Sequence, residues 1–348
     1  MRFSLRKKAS SAPSDNAEKP SDNVEKKVTR EDVVAAYRWI LGREPESEAV
    51  ICSAQRGYTS TEQMRRNFLR SEEFTASLDP SVKASRPYDL DQGGQPIEVT
   101  CEPQVMSELL AHIERTWTQL GKEDPYWSVL SYDRYQMGSF AEHQEAFWDT
   151  GKTDVVRLQR WLERNQINLP ANAACLEYGC GTGRVTRWLS QEFASVVACD
   201  ISEAHLQLAA QAIPPERLQQ VTFFRISQLS RLDELPAFDV LFSTIVLQHN
   251  PPPIIAYVLD KLLARLRPAG VAYFQVPTLR PGYRFVLREY LSSTVGNETG
   301  MEMHVLPQRY VFEIAARNGC QPVEVLPDDW TASLPYASNT FLLRKRPE

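Results

Sequence analysis

The sequence predicts an α/β fold in which a doubly wound, mostly parallel sheet follows a small all-α N-terminal domain. From Ala173 onward, short apolar runs alternate with amphipathic segments, which is the order of parallel strands joined by helical crossovers. A glycine-rich turn follows the first apolar run, and polar residues follow the later ones. Since ligands of such sheets bind beyond the carboxyl ends of the strands, these residues mark the expected site.

The length and charge of the chain exclude several classes of protein. Its 348 residues suggest about two domains, and the net charge of −5 implies no general affinity for nucleic acid. No apolar run approaches the roughly 18 residues of a membrane span, and polar residues rather than a secretory signal follow the basic N-terminus. The six cysteines have no spacing suited to zinc. We therefore expect a cytoplasmic protein with free thiols and with no metal, nucleic-acid partner or membrane span.

Composition divides the chain into four stretches. They are a disordered tail (1–28), a small helical domain (29–78), a linker (79–100) and the sheet domain (101–348), whose first part (101–170) is a helical and aromatic lead-in. In the helical domain, Thr29 is placed to cap a first helix, Gly42 to end it and Ser60 to begin another.

Two phrases in this helical domain carry a family likeness. Residues 36–45 and 68–74 resemble parts of a small helical domain of unknown function that recurs in bacterial glycosyltransferases and surface-polysaccharide proteins. The likeness covers residues 29–78, although the loop between Val50 and Thr59 is shorter than the usual pattern. It implies an interaction or spacer module, and hence a possible protein partner.

The glycine turn separates two classes of nucleotide-binding sheet. A dinucleotide fingerprint, G-x-G-x-x-G, requires glycine where this chain has Arg184. The sequence instead has Gly179, Gly181 and Gly183, with Glu177 two residues upstream. This pattern resembles motif I of the class I S-adenosylmethionine-dependent methyltransferases, which have a Rossmann-like sheet. The resemblance implies S-adenosyl-L-methionine as cofactor, Glu177 near its methionine part and glycines that let the backbone approach it.

The ends of the next two strands extend this likeness. Asp200 ends the second predicted strand about twenty residues beyond the glycine turn, where an acid accepts hydrogen bonds from ribose, although a helix cap is the alternative. Residues 197–202, including Ile201, are the second match to the family. After the third strand the family's usual acid is missing. Ser227 and Gln228 stand in its place, and either can hydrogen-bond the adenine amine.

Residues before the sheet also resemble the family. The string from Trp117 to Leu130 looks like the lead-in of bacterial methyltransferases from polysaccharide and small-molecule pathways. By that likeness Tyr126 and Gly151 line the cofactor site. The alternative is that the aromatic residues of this segment only cap the edge of the sheet.

The fourth and fifth strands bring in the candidate acceptor residues. Gln248 and His249 follow the fourth strand and match the family's V-L-Q-H motif. The connection 278–305 leaves the fifth strand and holds arginines spaced by four, which on a helix would share a face suited to an anionic acceptor at Arg284 or Arg288. In the family, the last two strands form an antiparallel pair at the sheet edge.

Methyl transfer to oxygen benefits from a general base, and His249 and His304 are the candidates. For His249 an orienting or packing role is the alternative. The resemblance implies O-methylation of a sugar, glycan or other small molecule. A catalytically silent cofactor-binding scaffold and a nicotinamide oxidoreductase are the competing classes, and Arg184 argues against the latter.

Overall fold

The computed structural model describes residues 27–71, 73–74, 94–294, 300–331 and 336–347. The chain divides into two compact units, Met1–Tyr88 and Asp89–Glu348. The predicted tail lies outside the described residues except for its last two positions. The described end of the predicted linker belongs to the second unit, where Ile97 bridges to Phe285.

The first unit is helical. Its elements are α1 (Arg30–Ala36), a π-helical turn (Tyr37–Leu41), α2 (Glu48–Gly57) and α3 (Thr61–Leu69). Thr29 caps α1 as predicted, since its hydroxyl accepts from the Asp32 N–H and the Asp32 carboxylate accepts from the Thr29 N–H. Val33, Ile51 and Phe68 lie in a small buried core of this unit.

The second unit contains a seven-stranded sheet in the order β3-β2-β1-β4-β5-β7-β6. The strands are β1 (Ala174–Tyr178), β2 (Ser195–Asp200), β3 (Val221–Arg225), β4 (Phe238–Ser243), β5 (Leu266–Leu279), β6 (Cys320–Asp328) and β7 (Ala337–Lys345). Neighbours from β3 to β5 are parallel, and β7 runs antiparallel to β5 and β6. The predicted fold class is confirmed, with the antiparallel pair at the edge of the sheet.

Helices cover both faces of the sheet. They are α4 (Pro103–Glu123), α5 (Pro125–Val129), α6 (Phe140–Arg164), α7 (Thr186–Glu192), α8 (Glu203–Ala212), α9 (Pro252–Arg265), α10 (Leu287–Ser293) and α11 (Gln308–Arg317). Because strand side chains alternate, the neighbours Cys175 and Leu176 enter different apolar clusters. The Leu176 cluster is shared with α4, α9 and α11, and the Cys175 cluster with α6, α7 and α8. Within the described residues, no helix has the length and hydropathy needed to cross a membrane.

Two elements extend further along the chain than the core of the sheet requires. Helix α6 begins at Phe140, so Gly151 lies within it. Strand β5 begins at Leu266, which pairs with Phe238 of β4, so residues 268–270 belong to this strand.

Candidate active site

A cleft of about 900 Å³, a volume that includes space open to solvent, lies at the carboxyl ends of β1, β2 and β4. The first loop contributes the backbone from Glu177 to Gly181, and the segment after β4 contributes Thr244 to Val246. Helices α4 and α5 close the other side. The remaining lining residues are Leu110, Ile113, Trp117, Ser128, Val129, Arg184, Val185, Asp200, Ile201, His205, Ile226, Phe242 and Asn250.

Two glycines let the loop after β1 pack closely against the opposite wall of the cleft. Gly179 has φ +78°, and a Cβ there would lie 2.4 Å from the methyl groups of Val246. Gly181 has φ +52°, and its Cβ would lie 2.7 Å from Val129. Any side chain would therefore occupy the space between the loop and the opposite wall. Gly183 also has a positive φ but packs against Ala209 of α8, where it permits close helix packing.

Asp200 ties the end of β2 to this loop. Its Oδ2 accepts a hydrogen bond from the Gly181 N–H at 2.8 Å, and its Oδ1 accepts from the Ser202 N–H at 2.9 Å. Each carboxylate oxygen has a second lone pair, so the residue retains capacity for a ribose hydroxyl. The helix-cap alternative and the ribose hypothesis are thus compatible in one side chain.

Glu177 is a buried carboxyl at the floor of the cleft. Only 3% of its surface is exposed, and its Oε2 accepts from the Thr186 hydroxyl at 2.5 Å. Burial raises the pKa of Glu177 to about 8, against the opposing effects of Thr186 and of the Arg184 charge. A cationic group placed beside this carboxyl would favour its ionised form. The glycine cradle and this carboxyl fit the amino-acid end of S-adenosylmethionine.

The other predicted cofactor residues take different places. Ile201 lines the cleft, but among the described residues Ile226 rather than Ser227 or Gln228 contributes to its wall. Tyr126 stacks on Phe140, with ring centroids 3.5 Å apart.

Gly151 and Gln248 lie behind the cleft wall. A Cβ at Gly151 would be 2.0 Å from the carbonyl oxygen of Arg184, so this glycine lets α6 approach the loop. Gln248 is buried, and its Oε1 accepts from Gln275 at 3.0 Å. Both residues support the cleft through packing.

A second, smaller cavity of about 230 Å³, a volume that includes space open to solvent, shares Ile113 and Trp117 with the cleft. Its polar lining includes His112, His249 and Glu302. Since the same two side chains of α4 line both spaces, a molecule in the smaller cavity is a neighbour of one in the cleft.

Glu302 organises a cluster of polar side chains at this cavity. Its carboxylate accepts from His112 Nε2 at 2.7 Å, from His304 Nε2 at 2.9 Å and from the Tyr290 hydroxyl at 2.8 Å. Burial alone would raise the pKa of Glu302, but the hydrogen bonds from His304, His112 and Tyr290 lower it to about 2. The carboxylate is therefore ionised at neutral pH.

The two predicted bases are already engaged. His249 Nδ1 donates to the Glu302 carbonyl oxygen at 2.8 Å, and its Nε2 accepts from the Gln248 amide at 3.1 Å. Burial lowers the pKa of His249 to about 4, so its ring is neutral. His304 donates to Glu302, and its Nδ1 accepts from the Tyr283 hydroxyl at 2.9 Å. The lone-pair nitrogen of each ring, Nε2 of His249 and Nδ1 of His304, therefore already accepts a hydrogen bond.

The expected arginine face is not formed. Helix α10 begins only at Leu287, so Arg280 and Arg284 lie outside it and do not share a helical face with Arg288. Arg280 donates to the Tyr336 hydroxyl at 3.1 Å. The exposed Arg284 pairs with Glu289 at 2.8 Å, and Arg288 is exposed.

Three cleft or cavity residues were missed in the sequence. Arg184 carried a signal, because it replaces a glycine of the dinucleotide pattern. His112 appears only as one polar residue within the apolar stripe of α4, which predicts nothing about a site. Ile245 has φ +61°, a conformation that is rare for a β-branched residue, and its N–H donates to Gln275. Strain of this kind is common at functional sites but is invisible in a sequence.

Comparison with known proteins finds relatives of the sheet domain in the second unit. A family model described as a methyltransferase domain matches residues 176–272. A malonyl-acyl-carrier-protein O-methyltransferase of Priestia megaterium is 26% identical over 171 residues, covering 49% of this chain and 53% of that protein. A ubiquinone biosynthesis O-methyltransferase of Pseudomonas fluorescens is 26% identical over 182 residues, covering 50% of this chain and 74% of that protein.

Among solved structures, magnesium protoporphyrin IX methyltransferase from Synechocystis is 19% identical. The match covers 67% of this chain and 98% of that one, with a TM-score of 0.45. The chain spans about half the length of the first curated relative, 53%. The family match begins inside β1 and ends inside β5, the part of the sheet that carries the cleft. The part of the sheet that forms the cleft is therefore the part that matches a methyltransferase domain.

Proposed function

We propose that the protein transfers the methyl group of S-adenosylmethionine to an oxygen of a small molecule that binds where the cleft meets the second cavity. The observation that carries this proposal is that the cleft and the second cavity adjoin, since Ile113 and Trp117 line both. The curated relatives named above are O-methyltransferases, which supports oxygen as the acceptor atom.

S-adenosylmethionine, when bound, supplies an electrophilic methyl group on a sulfonium. The protein's own contribution is to align the two reactants and to exclude water, which is worth effective molarities of about 10⁵ M or more in well-oriented systems. The backbone at Gly179 and Gly181 would lie against the cofactor, and Asp200 would accept a hydrogen bond from its ribose. Trp117, which lines both spaces, would pack beside the point where donor and acceptor meet.

His112 is the residue best placed to take the acceptor proton. Its Nε2–H donates to the ionised carboxylate of Glu302, which fixes the ring and stabilises positive charge developing on it. In the part of the chain that the structure describes, no donor lies at its Nδ1, in contrast to the lone-pair nitrogens of His249 and His304. The proton would pass to that nitrogen as the new C–O bond forms and the S–C bond electrons return to sulfur.

We further propose a neutral, hydroxyl-bearing acceptor such as a sugar or a glycan unit. The cavity lining contains one ionised carboxylate together with hydrogen-bonding imidazole and phenol groups, which suits hydroxyls better than the anion expected at Arg284 or Arg288. The likeness of the first unit to a module of polysaccharide proteins supports the same class, by analogy alone.

The test supplies the full chain with methyl-labelled S-adenosylmethionine and a panel of monosaccharides, nucleotide-linked sugars and phenols. We expect label in a hydroxylated acceptor. His112→Asn should lower kcat by about 10²- to 10⁴-fold and leave cofactor affinity unchanged. His143→Asn, on α6 and away from the cluster, is the matched control. Calorimetric binding of the cofactor without transfer to any acceptor would support the scaffold alternative instead.

A further inference from the structure

A short segment of chain ahead of α4 runs alongside the connection 278–305. The carbonyl oxygen of Pro96 accepts from the Phe285 N–H at 2.9 Å, and the carbonyl oxygen of Phe285 accepts from the Glu98 N–H at 3.0 Å. This parallel bridge is centred on Ile97 and Phe285 and lies outside the seven-stranded sheet. We call residues 96–98 the strap, because they join the start of the second unit to a distant part of the chain.

The side chain of Glu98 adds a contact to the start of α10. Its Oε2 accepts from the Leu287 N–H at 2.5 Å, across 189 positions of sequence. Leu287 is the first residue of α10, and the first N–H groups of a helix have no partner within it. The residue at the cap position, Val286, makes no side-chain hydrogen bond to the helix. The strap therefore supplies the cap that the local sequence lacks.

The segment held by the strap contacts the polar cluster of the smaller cavity. Tyr290 of α10 lines that cavity, and its hydroxyl donates to Glu302 at 2.8 Å. Phe285 is buried, and its ring centroid lies 5.0 Å from that of Tyr290 and 5.7 Å from that of His304. Both of these neighbours donate to the Glu302 carboxylate. The strap thus fixes the backbone that carries one of these donors and packs against the other.

The cofactor cleft takes no part in these contacts. Its lining includes none of the described residues in the ranges 94–101 and 278–305. The smaller cavity, by contrast, is lined by Tyr290, Gly300 and Glu302 of the connection. A change in the strap should therefore reach the acceptor side and leave the cofactor side as it is.

We propose that Glu98 is a positioning residue of the acceptor site. It caps α10, which sets the Tyr290 hydroxyl against the Glu302 carboxylate, and that carboxylate orients His112. Glu98 itself lines neither the cleft nor the smaller cavity. The inference rests on the proposed function, because it gives weight to the groups around His112.

Three substitutions at position 98 remove the strap contacts one after another. Glu98→Gln keeps an oxygen that can accept from the Leu287 N–H, and Glu98→Ala removes that acceptor. Glu98→Pro also removes the N–H that donates to Phe285. In the full chain, with an acceptor that the wild type methylates, kcat should fall less than about threefold, about three- to tenfold and more than about tenfold, in that order.

Cofactor affinity, measured by calorimetry, should stay unchanged in all three variants. Glu102→Ala is the matched control, because Glu102 is an exposed carboxylate just beyond the strap whose side chain makes no cap hydrogen bond to α4. It should leave both kcat and cofactor affinity unchanged.

A second readout needs no turnover. The Nε2–H protons of His112 and His304 are bonded to the Glu302 carboxylate, so the wild type should show them as slowly exchanging, downfield NMR signals. In Glu98→Ala and Glu98→Pro these signals should exchange faster with water and broaden. The ring signals of His205, which lies 2.9 Å from the Ser128 hydroxyl beside the cofactor cleft, should not change. His112→Asn and His304→Gln assign the two protons.

Unchanged kcat and unchanged histidine signals in a folded Glu98→Pro protein overturn the proposal. Where that variant does not fold, the same comparison between Glu98→Ala and Glu98→Gln decides it. Cofactor affinity that falls in parallel with kcat also overturns it, since Glu98 would then serve general stability. A wild type that methylates no acceptor contradicts the proposed function, and the histidine signals still decide whether Glu98 positions the cluster.

Discussion

The carboxylate of Asp200 holds the backbone N–H of Gly181, with 2.8 Å between the nitrogen and Oδ2. The end of β2 and the turn after β1 are thereby joined at the mouth of the cleft. One side chain both shapes the glycine loop and remains able to accept from a ligand. Removal of the Asp200 carboxylate should therefore lower cofactor affinity in two ways, by loosening the glycine loop and by removing an acceptor for the ligand. Different substitutions at Asp200 can separate these two effects.

Asp200→Asn and Asp200→Ala should differ in a defined way. The amide retains one oxygen for the Gly181 N–H but loses the charged acceptor, whereas alanine loses both. We expect cofactor affinity to fall by about 1–3 kcal/mol in the asparagine variant and further in alanine. Calorimetric titration with S-adenosylmethionine measures this. Affinity unchanged in both folded variants would remove Asp200 from the site.

Gly179→Ala should nearly abolish cofactor binding. The new Cβ meets Val246 at 2.4 Å, and the backbone at φ +78° disfavours any side chain. A double variant that adds Val246→Ala should relieve the clash with the new Cβ, but alanine at position 179 would still disfavour the positive φ. Cofactor binding should therefore recover only in part. Gly138→Ala is the control, because a Cβ there has no neighbour within 4 Å among the described residues. Full recovery in the double variant would show that crowding alone accounts for the glycine.

Glu177 should make the stability of the ligand-free protein depend on pH. Its pKa is raised from 4.5 to about 8, so its stabilising contribution is complete below 4.5 and is lost as the pH rises through 8. The difference in unfolding free energy between wild type and Glu177→Gln should therefore change by a few kcal/mol as the pH rises through this window, since each tenfold change in proton affinity is worth about 1.4 kcal/mol. Denaturant titrations at several pH values measure this difference. Parallel pH profiles of the two proteins would contradict it.

The second unit should fold and bind the cofactor without the first. The chain divides between Tyr88 and Asp89, and the sheet with its cleft lies wholly in the second unit. A fragment beginning at Asp89 should keep the cofactor affinity of the full chain, as measured by calorimetry, and should unfold cooperatively. A fragment that is insoluble or does not bind would show that the helical unit is required for the sheet domain.

The sequence was most informative where a residue's role depends on the backbone. The glycines at 179 and 181 and the acid at 200 are recognisable because a sharp turn and a strand end restrict which residues fit. Alternating apolar runs were sufficient to predict the sheet, since burial on both faces leaves a strong pattern.

The acceptor side was less predictable because it depends on contacts between distant segments. His112 and Glu302 are separated by 190 positions, and no local pattern marks either of them. The arginine spacing of the connection suggested a helix, but the backbone becomes helical only at Leu287. The role of Gly151 also depends on a contact between distant segments. The family likeness placed this residue in the site, but it packs against the carbonyl of Arg184.

The position of β7 has a consequence for how the domain is made. This strand leaves the ribosome after the other six, yet it lies between β5 and β6 and pairs with β5 from Val271 to Leu279. Until it emerges, β5 has an open edge and β6 has no neighbour in the sheet. The sheet of the nascent domain therefore stays incomplete during most of its synthesis. The exposed edge of β5 is the surface that a chaperone would have to protect.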